Sequence, residues 1–144
     1  MSIWFKPFHV NDLQQRNEKT LIHYLNIVFT EVGDDYLVAT MPVNDTTKQY
    51  MGILHGGASC VLAESVGSVA ANYVIDHQQY RAVGQEINAN HLRPVASGLV
   101  TGIATPIHLG KASQVWDIKI TNQDKKLICI SRLTMAVISL DKIR

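Results

Sequence analysis

The sequence predicts an α+β domain in which one long central helix lies across the concave side of an antiparallel sheet of about six strands. One stretch of small and apolar residues, 57–75, has helical periodicity, and six β-rich runs flank it. Turn signals are spread evenly along the 144 residues, without a linker or repeat. A lone helix among antiparallel strands buries its apolar surface by packing on the sheet. We therefore expect one domain over residues 1–144.

The elements before the central helix follow from short local patterns. The polar stretch VNDLQQRNEKT predicts a short helical segment over about residues 10–19, with Asn11 as a candidate N-cap. Two β-rich runs follow at residues 25–32 and 36–43, and the sequence GDD between them predicts a hairpin turn.

The central helix and the strands after it have clearer periodicity. Apolar residues recur at spacings of three and four from Ala58 to Tyr73, with a second apolar set beside them, so the helix is expected to be surrounded on most sides. Gly67 weakens a helix, which indicates a packing reason for its presence. Residues 115–121 place Trp116, Ile118 and Ile120 on one face and the mostly polar residues between them on the other, as a strand with one buried face does. The strands predicted after the helix cover residues 82–91, 98–108, 113–121 and 126–139.

Composition excludes several classes of function. The residues are 47% hydrophobic and 17% charged with a formal net charge of +1, which favours a globular fold and gives no footprint for nucleic acid. The N-terminus lacks the apolar run of a signal peptide, and the central helix carries Glu64 and Asn72 without a basic flank. We therefore expect neither export nor a membrane span. Cys60 and Cys129 lie far apart, which predicts reduced thiols in a cytoplasmic protein and no zinc site.

One charged residue, Glu64, lies in the middle of the central helix. A carboxylate at such a position loses hydration, which is tolerated if it is hydrogen-bonded, lies at a crevice, or is needed for chemistry. A structural Glu on a polar strip with Ser68 and Asn72 explains the same pattern. The residues around Glu64 leave both interpretations open.

The helix begins with the sequence His55-Gly56-Gly57. The N–H groups of a first helical turn are unpaired and carry the positive end of the helix dipole, which suits a carbonyl oxygen or an oxyanion. A plain tight turn is the alternative. Gly57 and Glu64 are two helical turns apart on one face, about 10 Å along the axis. An extended ligand or a partner surface would have to bridge that gap.

Other catalytic patterns are absent from the sequence. It has no Gly-x-Ser-x-Gly motif, no Walker loop, no His-Glu-x-x-His motif and no dinucleotide glycine pattern. Ser113 and Cys60 have no identifiable base nearby. A metal site would have to combine His55, His91 and His108 with Glu64, but their spacing does not resemble a ligand set, so we expect no metal.

Three segments together resemble the hotdog-fold acyl-CoA thioesterases of the phenylacetate-degradation and 4-hydroxybenzoyl-CoA type. They are LHGGASCVLAESVGS, VGQEINANHLRP and HLGKASQVWDIKI. Within that family they resemble the bacterial 1,4-dihydroxy-2-naphthoyl-CoA hydrolases and the proofreading thioesterases of siderophore synthesis. The resemblance covers roughly residues 20–138 and agrees with the fold predicted from periodicity.

The resemblance implies an active site shared between subunits. Dimers would form a continuous sheet and pair into homotetramers, so that the helix start and Glu64 come from different chains. It implies that the Gly56 N–H polarises the thioester carbonyl, with His55 and Gln49 positioning that end of the substrate. Glu64 of the neighbouring chain would act as nucleophile or general base, and Ser68 would help to place the attacking water.

The resemblance also implies how coenzyme A is bound, as part of the substrate and without any further cofactor. The matching positions are His91 and Arg93 after the third strand, and Gly110, Lys111 and Ser113 in the turn HLGKAS. Relatives often carry more arginine in that turn. The hotdog dehydratases favour a His in a Pro-Gly turn, and HGGAS lacks the proline, which favours hydrolysis over dehydration.

We conclude from the sequence that the protein is a cytoplasmic, homotetrameric acyl-CoA thioesterase acting on aromatic or medium acyl groups, with menaquinone biosynthesis as a candidate pathway. Its partner is the acyl-CoA substrate, with neither nucleic acid nor membrane involved. The alternative is a non-catalytic protein that binds acyl thioesters on the same fold. Glu64 separates the two, because a binding protein has no reason to hold an ionisable group against the thioester.

Overall fold

An antiparallel sheet wrapped around one long helix forms the fold, as the sequence predicts. The structure is a computed structural model that describes residues 1–142. Within these residues the sheet has six strands in the order β1-β2-β4-β5-β6-β3, and neighbouring strands are antiparallel. The elements in chain order are α1 (Val10–Arg16), α2 (Leu21–Tyr24), β1 (Val28–Val32), β2 (Leu37–Pro42), α3 (Gly56–Tyr73), β3 (Tyr80–His91), β4 (Leu99–Leu109), β5 (Ser113–Thr121), β6 (Leu127–Ser139) and the 3₁₀ turn Leu140–Lys142.

The core lies between α3 and the sheet. Leu62 and Val66 of the helix are fully buried, as is Trp116 of β5. A Cβ on Gly67 would lie 2.7 Å from Leu133 Cδ2, which is too close for a real contact. The predicted packing reason for Gly67 is therefore confirmed, because only glycine lets α3 approach the sheet so closely.

The hairpin and the alternating strand are confirmed as well. β1 pairs with β2 across the GDD sequence. In β5 the side chains of Trp116, Ile118 and Ile120 are buried, while the residues between them are partly or fully exposed.

The N-terminal prediction is partly wrong. The first helix is shorter than 10–19, and its N-cap is His9 rather than Asn11: the His9 N–H donates to the Asp12 carboxylate at 3.1 Å. The predicted strand 25–32 begins only at Val28. Asn26 has φ +53°, a left-handed conformation that ends α2 and cannot belong to an extended strand.

The edge strand β3 has one long side without a strand partner in the described part of the chain. It pairs with β6 along its whole length, with a bulge between Gly84 and Glu86, and most of its side chains are exposed. The Asn72 side chain donates to the Ala82 carbonyl at 2.8 Å and accepts from the Ala82 N–H at 3.0 Å. Long free edges of this kind are natural sites for pairing with a further strand.

None of the helices in residues 1–142 combines the length and the apolar character needed to cross a membrane.

Candidate active site

The start of α3 leaves one backbone donor unpaired. His55 is the N-cap, and the Gly57 N–H donates to its Nδ1 at 2.8 Å. The Ala58 N–H donates to the His55 carbonyl at 3.0 Å. In the described residues the Gly56 N–H has no acceptor. The cap therefore isolates the Gly56 donor at the positive end of the helix dipole, which suits an oxyanion.

Glycine at position 56 lets a histidine pack directly on the start of the helix. A Cβ there would lie 2.9 Å from His91 Nε2. The two residues share a cleft of about 360 Å³ with Gln49, Ser59 and Arg93. The predicted thioester-end residue Gln49 and the predicted coenzyme residues His91 and Arg93 are thus brought together around the Gly56 donor. His91 lies closer to the helix start than its predicted role with the coenzyme suggests.

The loop that carries Gln49 is held by its own backbone. The Gln49 N–H donates to the Ile53 carbonyl and the Gly52 N–H donates back to the Gln49 carbonyl, both at 2.9 Å. The Gln49 side chain accepts from the Met51 N–H. Gly52 has φ +80°, which favours glycine at this turn. The loop therefore presents a pre-formed wall to the cleft.

Glu64 is half-buried and has no partner. Neither of its carboxylate oxygens accepts a hydrogen bond or lies within ion-pair distance of a cation in residues 1–142. Its carboxylate lies against the backbone of Gly84, where a Cβ would overlap it. A glycine inside a strand often marks such a close approach, and this is the signal by which Gly84 could have been found from sequence.

Neighbours of Glu64 on α3 have different roles. Ser68, one turn on, lines a cavity beside the helix. Asn72 is tied to the edge of β3 and donates to the Ser68 carbonyl at 2.9 Å. The polar strip predicted from the sequence exists. Asn72, at its C-terminal end, is hydrogen-bonded to β3, whereas the Glu64 carboxylate at its N-terminal end has no partner in the described residues.

Cys60 lacks the properties of a nucleophile. Burial raises the pKa of the Cys60 thiol, and the nearby charge of Glu64 raises it further. Burial also raises the pKa of Cys129 to about 11. Both cysteines are free thiols, and these shifts hold them protonated and unreactive at neutral pH.

The predicted coenzyme residues fall into two groups within one chain. His91 pairs with Cys129 in the sheet, whereas Ser113 pairs with Ala136, which places the groups about 23 Å apart along β6. Gly110 and Lys111 border a separate cleft of about 560 Å³ near Tyr80. A single chain therefore does not bring the two groups to one ligand.

The two predicted catalytic groups are also separated. Gly56 and Glu64 lie on one helix, about 12 Å apart along its axis. The histidines considered for a metal site are also far apart. His108 packs on Gly110, and His91 lies at the opposite end of the sheet. Within residues 1–142 there is no cluster of three or more side chains suited to a metal ion.

Comparison with known proteins decides the family. The sequence profile of the thioesterase superfamily matches residues 51–129, which include the cap, Gly56, Glu64 and His91. The chain belongs to the thioesterase superfamily. The solved structure of a mutant of thioesterase PA1618 from Pseudomonas aeruginosa is similar to this thioesterase with a TM-score of 0.95 and 46% identity, over 96% of this chain and 100% of that one.

Curated relatives of this thioesterase are similar over nearly their whole length. It is 47% identical to the 1,4-dihydroxy-2-naphthoyl-CoA hydrolase of Escherichia coli strain K12, over 94% of this chain and 99% of that protein. It is 43% identical to the proofreading thioesterase EntH of Cronobacter sakazakii, over 94% and 98%. The protein is a thioester hydrolase with the hotdog fold, which speaks against the alternative of a non-catalytic binding protein.

Proposed function

We propose that this thioesterase hydrolyses acyl-CoA thioesters with aromatic or medium acyl groups to the free acid and coenzyme A. Glu64 is the catalytic carboxylate and the Gly56 N–H is the oxyanion donor. The observation that carries the proposal is the Glu64 carboxylate, half-buried on the central helix without a partner in the described chain. Partial burial of a carboxylate without a protein hydrogen bond brings no stabilising interaction, so a catalytic role explains its presence better than a structural one.

The chemistry requires attack on the thioester carbonyl carbon and expulsion of a thiolate. Water attacks after giving a proton to Glu64, or the carboxylate itself attacks and the resulting anhydride is hydrolysed. In both routes the carbonyl oxygen becomes negative and accepts from the Gly56 N–H, the C–S bond breaks, and coenzyme A leaves as a thiol after protonation. A single turnover in ¹⁸O-water followed by mass analysis of Glu64 separates the routes.

We propose that the site is completed by a second copy of the chain. The free edge of β3 can pair with the same edge of a partner, so that the two β3 strands run antiparallel about a two-fold axis. The His91 end of one subunit then lies beside the Tyr80 end of the other. That arrangement brings the Gly56 cleft of one subunit towards Glu64 of its partner, and two such dimers form the homotetramer.

The same pairing reunites the two groups of coenzyme residues. Lys111 lies at the Tyr80 end of the sheet, and Arg93 lies at the His91 end. Pairing of the two β3 edges places Lys111 of one subunit near Arg93 of the other. A pyrophosphate and a 3′-phosphate, which one chain could contact only at separate ends, are then held by cations from both subunits.

Release of free thiol from a panel of acyl-CoA thioesters tests the activity. The E. coli relative is named a 1,4-dihydroxy-2-naphthoyl-CoA hydrolase, so that thioester, which would connect the enzyme to menaquinone biosynthesis, is the first substrate to assay. The panel continues with benzoyl-CoA and straight-chain acyl-CoA thioesters. If the Glu64→Gln variant releases thiol as fast as the wild type, Glu64 takes no part in the mechanism.

Mixing two inactive variants tests the shared site. A hybrid dimer of Glu64→Gln and Gly56→Pro subunits contains one intact site if each site takes Gly56 and Glu64 from different chains. Equal mixing and re-association should restore about a quarter of wild-type activity, since half the dimers are hybrids with one working site. Mixtures that stay inactive would place Gly56 and Glu64 of one chain in one site, and an active monomer in sedimentation would exclude the dimer.

A further inference from the structure

A cavity of about 240 Å³ opens beside α3 one turn after Glu64. Ser68 and Asn72 form its wall on the helix. α1 covers it with Arg16, and Arg81 at the start of β3 borders it on the other side. Ser68 lies one helical turn after Glu64 on the same face of α3, so the cavity begins about 6 Å further along the helix, on the side away from Gly56.

Two guanidinium groups face this cavity without a carboxylate partner. The Arg16 Nη1 donates to the Tyr73 hydroxyl at 3.0 Å, and its guanidinium lies 5.9 Å from the centroid of the Tyr73 ring. The Arg81 Nη1 donates to the carbonyls of His77 and Tyr80. In residues 1–142 neither arginine is within ion-pair distance of an acidic group. Each is held by one nitrogen, which leaves its other N–H donors for a ligand.

His77 also lines this cavity. The Nε2 of His77 is buried and has no hydrogen-bond partner in the described residues. Burial lowers the pKa of His77, and the charges of Arg16 and Arg81 lower it further, so the ring is neutral at pH 7. The nearby Asp76 opposes this effect, but its carboxylate accepts from the Gln78 N–H and the Gln79 amide rather than from an arginine.

We propose that this cavity holds the acyl group of the substrate, and that Arg16 and Arg81 select acyl groups with a carboxylate at the end remote from the thioester. The inference rests on the proposed function, because it takes Glu64 as the site of thioester cleavage. A cavity of about 150 Å³ already holds a benzene ring, so the space is sufficient for a substituted one. Ser68 lies about 6 Å beyond Glu64 along the helix, which is comparable to the separation between the carbonyl carbon and a para substituent of a benzoyl group.

Two matched thioesters test the selection. 4-Carboxybenzoyl-CoA and 4-methylbenzoyl-CoA have similar shape and differ in charge at the far end of the ring. The quantity to measure is the ratio of their kcat/KM values for the wild type, Arg16→Gln, Arg81→Gln and the double variant. Comparison of one ratio across variants cancels the difference in intrinsic reactivity between the two thioesters.

The wild type is expected to favour the carboxylate, and the double variant to lower the ratio about tenfold, as loss of charge-assisted hydrogen bonds at a partly exposed site implies. Arg132→Gln, an exposed arginine on β6, is the control and should leave the ratio unchanged. Arg16→Lys retains the charge and should keep more of the preference than Arg16→Gln. Thermal unfolding of each variant identifies any that fail to fold, and the Arg81 variants then carry the test.

The outcomes separate this inference from the proposed function. Hydrolysis of both thioesters with a ratio that the double variant does not change would overturn the selection by Arg16 and Arg81 and leave the activity standing. A wild type that hydrolyses neither these thioesters nor any other acyl-CoA would overturn the proposed function, and the inference with it. A ratio lowered equally by Arg132→Gln would mean a general charge effect and would also overturn the selection.

Discussion

The first turn of α3 and the middle of the same helix differ in which polar group is left without a partner. At the first turn, the His55 cap satisfies Gly57 and leaves the Gly56 N–H free. In the middle, Asn72 is bonded to the edge of β3 while the Glu64 carboxylate is free. One region offers an unpaired donor and the other an unpaired anion.

This difference indicates what each region is for. Neighbouring groups of the same kind are satisfied, so the two free groups do not result from a generally poor hydrogen-bond network. A donor suits the negative oxygen of a transition state, and an anion suits proton removal or attack. Under the proposed function, the helix supplies both the oxyanion donor and the carboxylate, and their separation of about 12 Å along the axis is the reason for proposing a shared site.

The largest effect is expected at the middle region. Glu64→Gln keeps the size of the side chain and removes its basicity, so kcat should fall by about 100-fold to 10,000-fold. Because the carboxylate has no partner in the described chain, the melting temperature should stay unchanged or rise. Thiol release and thermal unfolding on one preparation measure both quantities.

Two comparisons sharpen that result. Glu18→Gln, an exposed carboxylate, should change neither quantity. Asn72→Ala removes two hydrogen bonds to Ala82 and should lower the free energy of unfolding by about 1–3 kcal/mol. A Glu64→Gln variant that melts several degrees lower with near-normal turnover would make Glu64 structural like Asn72.

The next effect is expected at the first turn. Gly56→Pro removes the N–H itself, and proline is compatible with the first position of a helix when the preceding residue is extended, as His55 is. We expect kcat to fall by about 100-fold to 1,000-fold, the usual range for loss of an oxyanion donor. Steady-state thiol release measures it.

Gly56→Ala is the matched control for that substitution. It keeps the N–H but places a Cβ 2.9 Å from His91 Nε2, so His91 must shift. Its activity should lie between those of the wild type and Gly56→Pro. Equal loss in both variants would mean that crowding of His91, and not the missing donor, is responsible.

Much of the fold could be predicted because the spacing of apolar residues along the sequence indicates which segments form helices and strands. The apolar spacing of α3 and the alternation of β5 depend on residues close in sequence. The start of β1 was not predictable in this way, because the left-handed Asn26 looks like any other residue in a β-rich run. The N-cap was missed for a similar reason, since His9 is a less common cap than the Asn11 beside it.

The candidate site could be predicted only where its residues are local. His55, Gly56 and Glu64 lie on the cap and first three turns of α3, and their sequence marked both places as candidates with structural alternatives open; the roles of the Gly56 N–H and Glu64 came from the family resemblance. The arginines of the acyl cavity could not be predicted, because Arg16 of α1 and Arg81 of β3 meet only through the tertiary fold. The predicted coenzyme residues came from a resemblance, which could not reveal that they lie at opposite ends of the sheet within one chain.

A smaller effect is expected from the cations at the two ends of the sheet. Thioesters of full coenzyme A should have a lower KM than pantetheine thioesters, and Lys111→Gln or Arg93→Gln should raise the KM for the former about two- to tenfold. The advantage should shrink as salt rises, because the contacts are partly exposed. Lys119→Gln is the control, and equal KM values for both carriers at low salt would remove the coenzyme contacts.

The smallest effect is the influence of the Glu64 charge on the pKa of the Cys60 thiol, one helical turn earlier. The ionised carboxylate raises the pKa of Cys60, although burial is the larger cause. Glu64→Gln removes the charge and leaves the burial, so the pH profile of Cys60 alkylation should move slightly to lower pH. Iodoacetamide labelling across pH 7–10, with Cys129→Ala in both proteins so that one thiol reacts, measures the shift between the two pH profiles. An unchanged profile would mean that Glu64 exerts no field on its surroundings, and the contrast between a free anion in mid-helix and a free donor at its start would then lose its electrostatic basis.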